Sequence, residues 1–467
     1  TSSGAVDVNI LPAIVVQNVE TITGGASAVY GSDAMSGVVN FKLRTSFSGL
    51  MVDAQQSISS RGDAASRELS VVLGSDFADD RGNAFMVLSY AQRDDLLRNT
   101  RNFTRVSTLI GRLGNPVVNL SSNAPSQSVV DSVFAGYGVA PGSVNRSTTL
   151  GVNLNGSLYT PAPGAGRAIV NYQGPLNDVY NIFDGSIQQN SGYYYNITNP
   201  LERFSAFGRI NYRLTDDIRA YVQFLHTRYD TGSTTNPSNI GLTGSSANLA
   251  YDNQFIPADL RRILAARANP TEAVSVTYTF EKLGLLQSKS GWEISQAVGG
   301  VDGNLGIGDI TWSAYGAWGR TENRLKFLNG FSLSRVQTLL GRTDGGTGIC
   351  AGGLNIFGPQ QNMSQACLDY IRADPNSTFS YDLAMGEATI QGGLFDLPGG
   401  TLRFSAGVDH RWESFDSDID SRVTANDVPG IIGGPSAGSR SVTEVFGELL
   451  VPIVRDLPLI KGLAANV

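Results

Sequence analysis

A chain of 467 residues with 41% apolar content and a net charge of −7 can hold one large β domain with long loops, or two to three smaller domains. Its 34 basic against 41 acidic residues exclude the basic stripe that a nucleic-acid surface needs to displace counterions. The longest apolar runs, "LPAIVV" and "LLVPIV", are strand-sized, well short of the roughly 20 residues of a membrane-spanning helix.

Glycine is abundant, at 54 residues against an average near 7%, which favours a turn-rich β protein. No positively charged leader ending in Ala-x-Ala opens the chain, so a secretory signal is read as absent or lost. The first segment, residues 11–44, sets a cluster of small residues between two β-rich runs. Strands are then predicted near 49–59, 66–75, 82–92, 202–214, 217–229, 291–301, 308–320, 386–395, 400–413 and 441–451. Their signal is a period of two. In "TLRFSAGVDHRWE" one face carries Leu402, Phe404, Ala406, Val408 and Trp412, and the other Arg403, Ser405, Asp409, Arg411 and Glu413. "RFSAFGRINYRL" sets Phe204, Ala206, Ile210, Tyr212 and Leu214 against Arg203, Ser205, Arg209, Asn211 and Arg213.

Alternation alone also fits a soluble sandwich, so connection lengths decide. After a first hairpin at 60–65, short turns ("DFADDRG", "TDD", "DGNLGIG", "DLPGG", "PIVRDLPLIKG") alternate with long stretches near 93–201, 230–290, 321–385 and 414–440. Short turns at one rim and long loops at the other are the layout of an antiparallel outer-membrane barrel, and loops of this length are unusual in compact soluble domains. Beside the long loops stand Tyr90, Phe204, Tyr229, Trp292, Trp318 and Trp412, read as an aromatic girdle at the membrane–water interface. A barrel in lipid has no open edge, and the polar inner faces predict a wet or polar-filled lumen.

Several patterns carry less. Cys350 and Cys367 are the two cysteines. With His226 and His410 the other soft ligands, a four-ligand zinc site is not served. One disulfide closing a loop of about 17 residues is expected instead, contributing ~3 kcal/mol and implying an oxidising compartment. "GPSAG", with Ser436 at its centre, lacks the helix and the later histidine of a nucleophile elbow. "GTGICA" lacks a βαβ unit around its dinucleotide-like spacing. Asp416, Asp418 and Asp420 have the spacing that opens a calcium loop but not the Gly and Glu that complete it. Asp76, Asp79 and Asp80 read as a polar turn, and His410, beside Trp412, as an interface residue. The triplet Tyr193, Tyr194 and Tyr195 is the best candidate for ligand contact. No catalytic, metal or cofactor site is expected.

"LPAIVVQNVETITGGASAVYGSDAMSGVVNFKLR" (11–44) resembles the C-terminal part of the plug domain of TonB-dependent outer-membrane receptors. The resemblance rests on Val19, Glu20, Gly24, Gly25, Ala26, Ser27, Ala28, Tyr30, Gly31, Ala34, Gly37, Val38, Val39 and Asn40; Thr23-Gly24-Gly25 stands where a common variant has Arg-Gly-Pro. It implies plug over 1–45 and the first half of a transmembrane β-barrel over 46–467, with an eleventh strand at "GLAANV" and about 22 in the whole wall. It also implies an outer-membrane location with the long loops extracellular, and a TonB contact through an N-terminal box before Thr1. Partners would be outer-membrane lipid and a small-molecule or oligosaccharide ligand such as a ferric siderophore or a glycan, taken up without covalent chemistry. Two rivals stay open: a passive porin-like or autotransporter barrel, and a secreted β-rich glycan-binding protein or hydrolase.

Overall fold

The computed structural model describes residues 10–23, 37–105, 110–111, 115–162, 167–241, 245–359, 362–458 and 460–467. Its dominant element is one sheet of eleven antiparallel strands. They are β1 (Gly49–Ser57), β2 (Ser66–Phe77), β3 (Gly82–Arg93), β4 (Leu201–Arg213), β5 (Ile218–Pro237), β6 (Leu285–Asn304), β7 (Thr311–Leu328), β8 (Asn376–Leu397), β9 (Gly400–Asp418), β10 (Ser436–Leu457) and β11 (Ile460–Asn466). Each pairs with the next in sequence, a pure up-and-down meander whose open edges are β1 and β11. The short connections 78–81, 214–217, 305–310 and 398–399 lie at one rim, and the long ones leave from the other. The fold is all-β as expected, with an eleventh strand at 460–466.

Most strands run further toward the long loops than their apolar pattern indicates. β5 reaches Pro237, β7 reaches Leu328 and β8 begins at Asn376. Backbone pairing does not need apolar side chains, so the ladder continues where the alternation has become polar on both faces.

A side-chain face is fixed along the whole sheet because directly paired residues point the same way. Val72, Val87, Phe207 and Leu225 form one such row, and Ile10, Leu11, Ile14, Leu43 and Phe47 of the N-terminal segment pack against it together with Phe85 and Val15. That face is the inner one. Away from this apolar seat it carries Ser205, Arg209, Gln223, Gln296, Glu387, Asp409, Arg411 and Glu413, all in register with it.

The opposite face is apolar yet solvent-accessible. Val222 is 60% exposed, Phe404 45% and Val445 82%, values that in water would leave a large sticky surface. Its upper limit follows the ladder. Phe224, Ala297, Trp318, Ala384 and Trp412 are successive partners across five strands. The next outward row toward the long loops reads His226, Ser295, Arg320, Asp382 and Ser414. On β2–β4 the apolar limit is Leu69, Tyr90 and Phe204, and on β10 it is Val445, opposite Val408. A boundary that steps down the ladder is what tilted, staggered strands give when they cross a flat slab. At the short-turn rim Phe77 and Tyr212 stack on the same outer face, centroids 6.0 Å apart, a second aromatic level not singled out in the sequence.

The girdle reading needs one correction. Tyr90, Phe204, Trp318 and Trp412 do face outward, but Tyr229 and Trp292 pair with each other on the inner face, rings stacked at 5.9 Å. Two residues separate neighbours on one face, so Tyr229 follows Leu225 inward while Phe224 faces out.

Phe404→Arg is expected to destabilise the intact protein in bilayers by ~2 to 4 kcal/mol if the residue sits near the midplane. Arg403→Ala removes only an exposed ion pair with Asp309 at 2.8 Å and should change stability by less than ~1 kcal/mol. Denaturant unfolding of both variants checks this; similar losses would reverse the two faces.

Candidate functional site

Two regions stand out: the N-terminal segment on the inner face, and the assembly that the long loops build at their rim.

The N-terminal segment holds an antiparallel hairpin, Val16–Thr23 with Gly37–Leu43. Val19 faces Phe41, Glu20 faces Asn40, Thr21 faces Val39, Ile22 faces Val38 and Thr23 faces Gly37. Glu20 also pairs with Lys42 at 2.6 Å. Gly37 has φ +151° and a Cβ there would meet the Ile22 carbonyl at 2.6 Å, so no side chain fits. Gly24, Gly25, Ala26, Ser27, Ala28, Tyr30, Gly31 and Ala34 of the recognised motif lie outside the described residues.

Beyond its apolar seat, the segment is held to the wall through its own backbone. Thr227 donates to the Ile10 carbonyl at 2.9 Å. Arg44 ties back to the same segment through the Val15 carbonyl at 2.8 Å and the Ile14 carbonyl at 2.9 Å. The strap 44–48 then runs over β3: the Asn83 carboxamide accepts from Phe47 N at 3.1 Å and donates to Phe47 O at 3.0 Å. Asn211 donates to the Thr45 carbonyl and Ser48 to Asp76. Gly74 of β2 leaves room for this strap, since a Cβ would strike the Phe47 carbonyl. Thus Asp76 braces the strap, whereas Asp79 and Asp80 sit with positive φ in the 78–81 turn, a conformation that aspartate tolerates.

The inner face is also cross-braced. Arg219 pairs with Asp302 at 2.6 Å, and both Arg411 and Arg440 reach Glu413, at 3.2 and 2.5 Å. Tyr315 donates to Glu387 at 2.9 Å. A recess of about 600 Å³ opens among Arg213, Asp217, Arg219, Asp302, Ser313 and Gln391 at the short-turn end.

At the other rim the long connections fold together. Val117–Asn119, from the 94–200 stretch, pairs with Val274–Thr279, from the 238–284 stretch. Helices Gln127–Ala135, Ala258–Ala265, Leu333–Leu340 and Gln365–Ile371 set Val130, Val133, Phe134, Leu260, Ile263, Leu264, Val336, Leu339 and Leu340 into one apolar core shared by three connections. The Gln337 carboxamide clamps both backbone groups of Asn248, at 2.8 and 2.9 Å. Cys350 and Cys367 are joined by a disulfide, Cα atoms 5.1 Å apart, inside this core. The loops are therefore a folded cap. The 3.6-residue periods of "SVVDSVF", "DLRRILA" and "SRVQTLL" were the available signal for it.

Tyr193, Tyr194 and Tyr195 lie half-buried in this cap. Tyr193 and Tyr194 meet edge to face at 5.0 Å, and the Tyr195 carbonyl accepts from Arg98 N at 2.8 Å. Burial, with Glu281 nearby, raises the Tyr194 hydroxyl above its usual range; Tyr180 donates to the same Glu281. Asp416 and Asp418 belong to β9, while the Asp420 carboxylate is taken by Arg422 at 2.7 and 2.9 Å and by Asn376 N at 3.1 Å. Ser436 starts β10 opposite Ser417, so no nucleophile elbow exists there. Among the described residues no cluster of His, Cys, Asp or Glu is arranged to hold a metal ion.

Solved structures of similar fold include the ferric enterobactin receptor PfeA of Pseudomonas aeruginosa, in a mutant complexed with enterobactin. It is 15% identical, with 98% of this chain and 46% of that one covered at a TM-score of 0.43. The siderophore receptor PiuA of Acinetobacter baumannii matches at 10% identity over 94% and 52% with a TM-score of 0.36, and the copper transporter OprC at 12% over 95% and 51% with 0.35. In fold, the chain is similar to these receptors. It spans about half of their length. No protein-family description and no curated protein matches it.

Two outcomes follow. Cys350→Ser with Cys367→Ser should destabilise the cap by ~3 kcal/mol, read as faster proteolysis within 238–375 while the eleven-stranded sheet keeps its protection. The second concerns the loop 58–65, tied to the cap by Arg101, whose two terminal nitrogens donate to Asp63 at 2.8 and 2.6 Å. This pairing holds the Asp63 carboxyl below the usual range. The tie is therefore fully present above the unfolded carboxyl value, about 4, and is lost as pH falls from there toward the lower folded value. Amide exchange in 58–65 should accelerate on acidification through that window, and in Arg101→Gln should be fast already at pH 7.

Proposed function

We propose that the chain is the plug end and first half-wall of a TonB-dependent outer-membrane receptor, residues 1–45 belonging to the plug and 46–467 to the barrel. The observation that carries this reading is the two-faced sheet: apolar and exposed outside, polar inside, with the chain's own N-terminal segment seated on the polar side. A soluble sandwich buries its apolar face; here that face is bare and the covered one is mixed. Hydrocarbon tolerates no sheet edge, so the open edges at β1 and β11 call for further strands of a longer protein to close the wall.

On this reading the folded cap is extracellular and captures a scarce or bulky substrate, such as a ferric siderophore or a glycan, with Tyr193, Tyr194 and Tyr195 as the contact surface. Aromatic faces suit flat or pyranose rings, and the raised Tyr194 hydroxyl stays a protonated donor at neutral pH. Energy delivered through a TonB contact on the plug would displace the N-terminal segment from its seat. Binding and displacement suffice, and no covalent step is needed.

Three measurements on the intact protein test the reading. It should fractionate as a heat-modifiable outer-membrane band; a soluble species sinks the proposal. Uptake should stop when the TonB complex is deleted, whereas uptake continuing unchanged would mark a passive pore. Tyr193→Ala with Tyr194→Ala should weaken substrate binding at least tenfold while the band persists.

A further inference from the structure

The stretch that carries the tyrosines of the cap has no positive side chain of its own. From Ala168 to Leu201 it holds Asp178 and Asp184 but no lysine or arginine, and Tyr172, Tyr180, Tyr193, Tyr194 and Tyr195 all fall within it. Its hairpin, Tyr180–Phe183 with Ser186–Asn190, pairs Tyr180 with Gln189. The turn that follows bonds Tyr193 N to the Asn190 carbonyl at 3.2 Å, so Tyr193 and Tyr194 stay close to the hairpin. Tyr180 donates to Glu281 of the second connection, and Tyr194 lies in the field of the same carboxylate. Glu281 is exposed. Among the described residues it has no ion pair, and no lysine or arginine offsets the charge it sets on Tyr194 or on the buried Tyr278. The neighbouring Lys282 ammonium donates to the Met363 carbonyl at 2.7 Å. The Tyr193 and Tyr194 rings stand at 86° to each other, a corner rather than a flat shelf. Ile182 follows Tyr180 by two positions, on the same side of the strand, and is 49% exposed, so an apolar group extends the tyrosine side of the hairpin.

These features separate the ligand classes. An anionic complex meets a carboxylate that nothing nearby opposes. A bare divalent metal ion takes several oxygen ligands, and one carboxylate beside phenol rings supplies too few. A sugar needs hydrogen-bond partners on several sides, whereas the Tyr180 hydroxyl is committed to Glu281. An alkylated ammonium group matches every part: its charge pairs with the carboxylate, its face contacts are cation–π, and its methyl groups leave water against the rings and Ile182. We propose that Tyr180, Tyr193, Tyr194 and Glu281 form a recognition site for an organic monocation, an alkylated ammonium group borne by the captured substrate. The inference rests on the capture role given above to Tyr193 and Tyr194, and names the chemistry that those rings select.

The test uses the full-length protein in mild detergent, with binding read by isothermal titration calorimetry. The probes are choline, its neutral isostere with tert-butyl in place of trimethylammonium, benzoate and methyl glucoside. Wild type should bind choline at least tenfold more tightly than the isostere, a comparison that needs no variant. Glu281→Gln keeps an acceptor for Tyr180 and should cost choline about tenfold while leaving the isostere unchanged. Tyr194→Leu should weaken choline at least fivefold. Asp369→Asn removes another cap carboxylate, one bonded to Gln365, and should change nothing. Equal affinity for choline and the isostere overturns the proposal, as does tighter binding of benzoate or methyl glucoside, or an undiminished choline affinity in Glu281→Gln. Should either site variant fail to fold, the wild-type comparison decides alone. Substrate binding that survives Tyr193→Ala with Tyr194→Ala defeats the capture role itself. Loss of substrate in that pair, with no preference for choline in wild type, defeats only the cation assignment.

Discussion

On the membrane reading proposed above, the structure depends on one constraint: in hydrocarbon every backbone N–H and C=O has to find its partner within the protein. A meander in which each strand pairs with its sequence neighbour meets that demand with the shortest connections available. It also leaves one rim free of sequence constraint, because a hairpin needs only its short turns to be tight. All the insertions of this chain collect at the other rim, and with a common place to meet they have condensed into a second core. Wall and cap are thus stabilised by different physics. The wall is held by its ladder bonds, the cap by burial of leucine, valine and phenylalanine away from water. Conditions that weaken one need not weaken the other.

How much of this was legible in the residues follows from the same division. Alternation in β4 and β9 was readable because an apolar outer face and a polar inner one impose opposite demands on adjacent residues. Above Trp318 and Trp412 both faces meet polar surroundings, so alternation vanishes while pairing continues, and the ends of β5, β7 and β8 could not be read. Tyr229 and Trp292 were misplaced for the same reason: an aromatic next to a long loop fits either face, and only the register counted from Leu225 decides. The cap helices carried a plain 3.6-residue period, hidden by the expectation that long connections are irregular. The plug-like segment was legible through its small residues, and part of the physical cause is visible at Gly37 and Gly74, where side chains have no room.

The seat of the N-terminal segment differs in kind from the contacts that build the wall. Its apolar contribution is one compact group around Val15, Phe85, Val87 and Phe207. The rest is a short series of side-chain bonds from Thr227, Asn83 and Asn211 to backbone carbonyls. Such bonds contribute about 1 kcal/mol each because water replaces them when they break. On the membrane reading proposed above, ladder bonds facing lipid would have no such replacement, so the wall would hold where the seat opens. An energy source acting on the segment would therefore meet its resistance in steps, with the apolar group as the largest of them. The Asn83 clamp on Phe47 then fixes where movement ends, since 44–48 is bonded to the wall on its own account and can stay as the hinge while the hairpin ahead of it leaves.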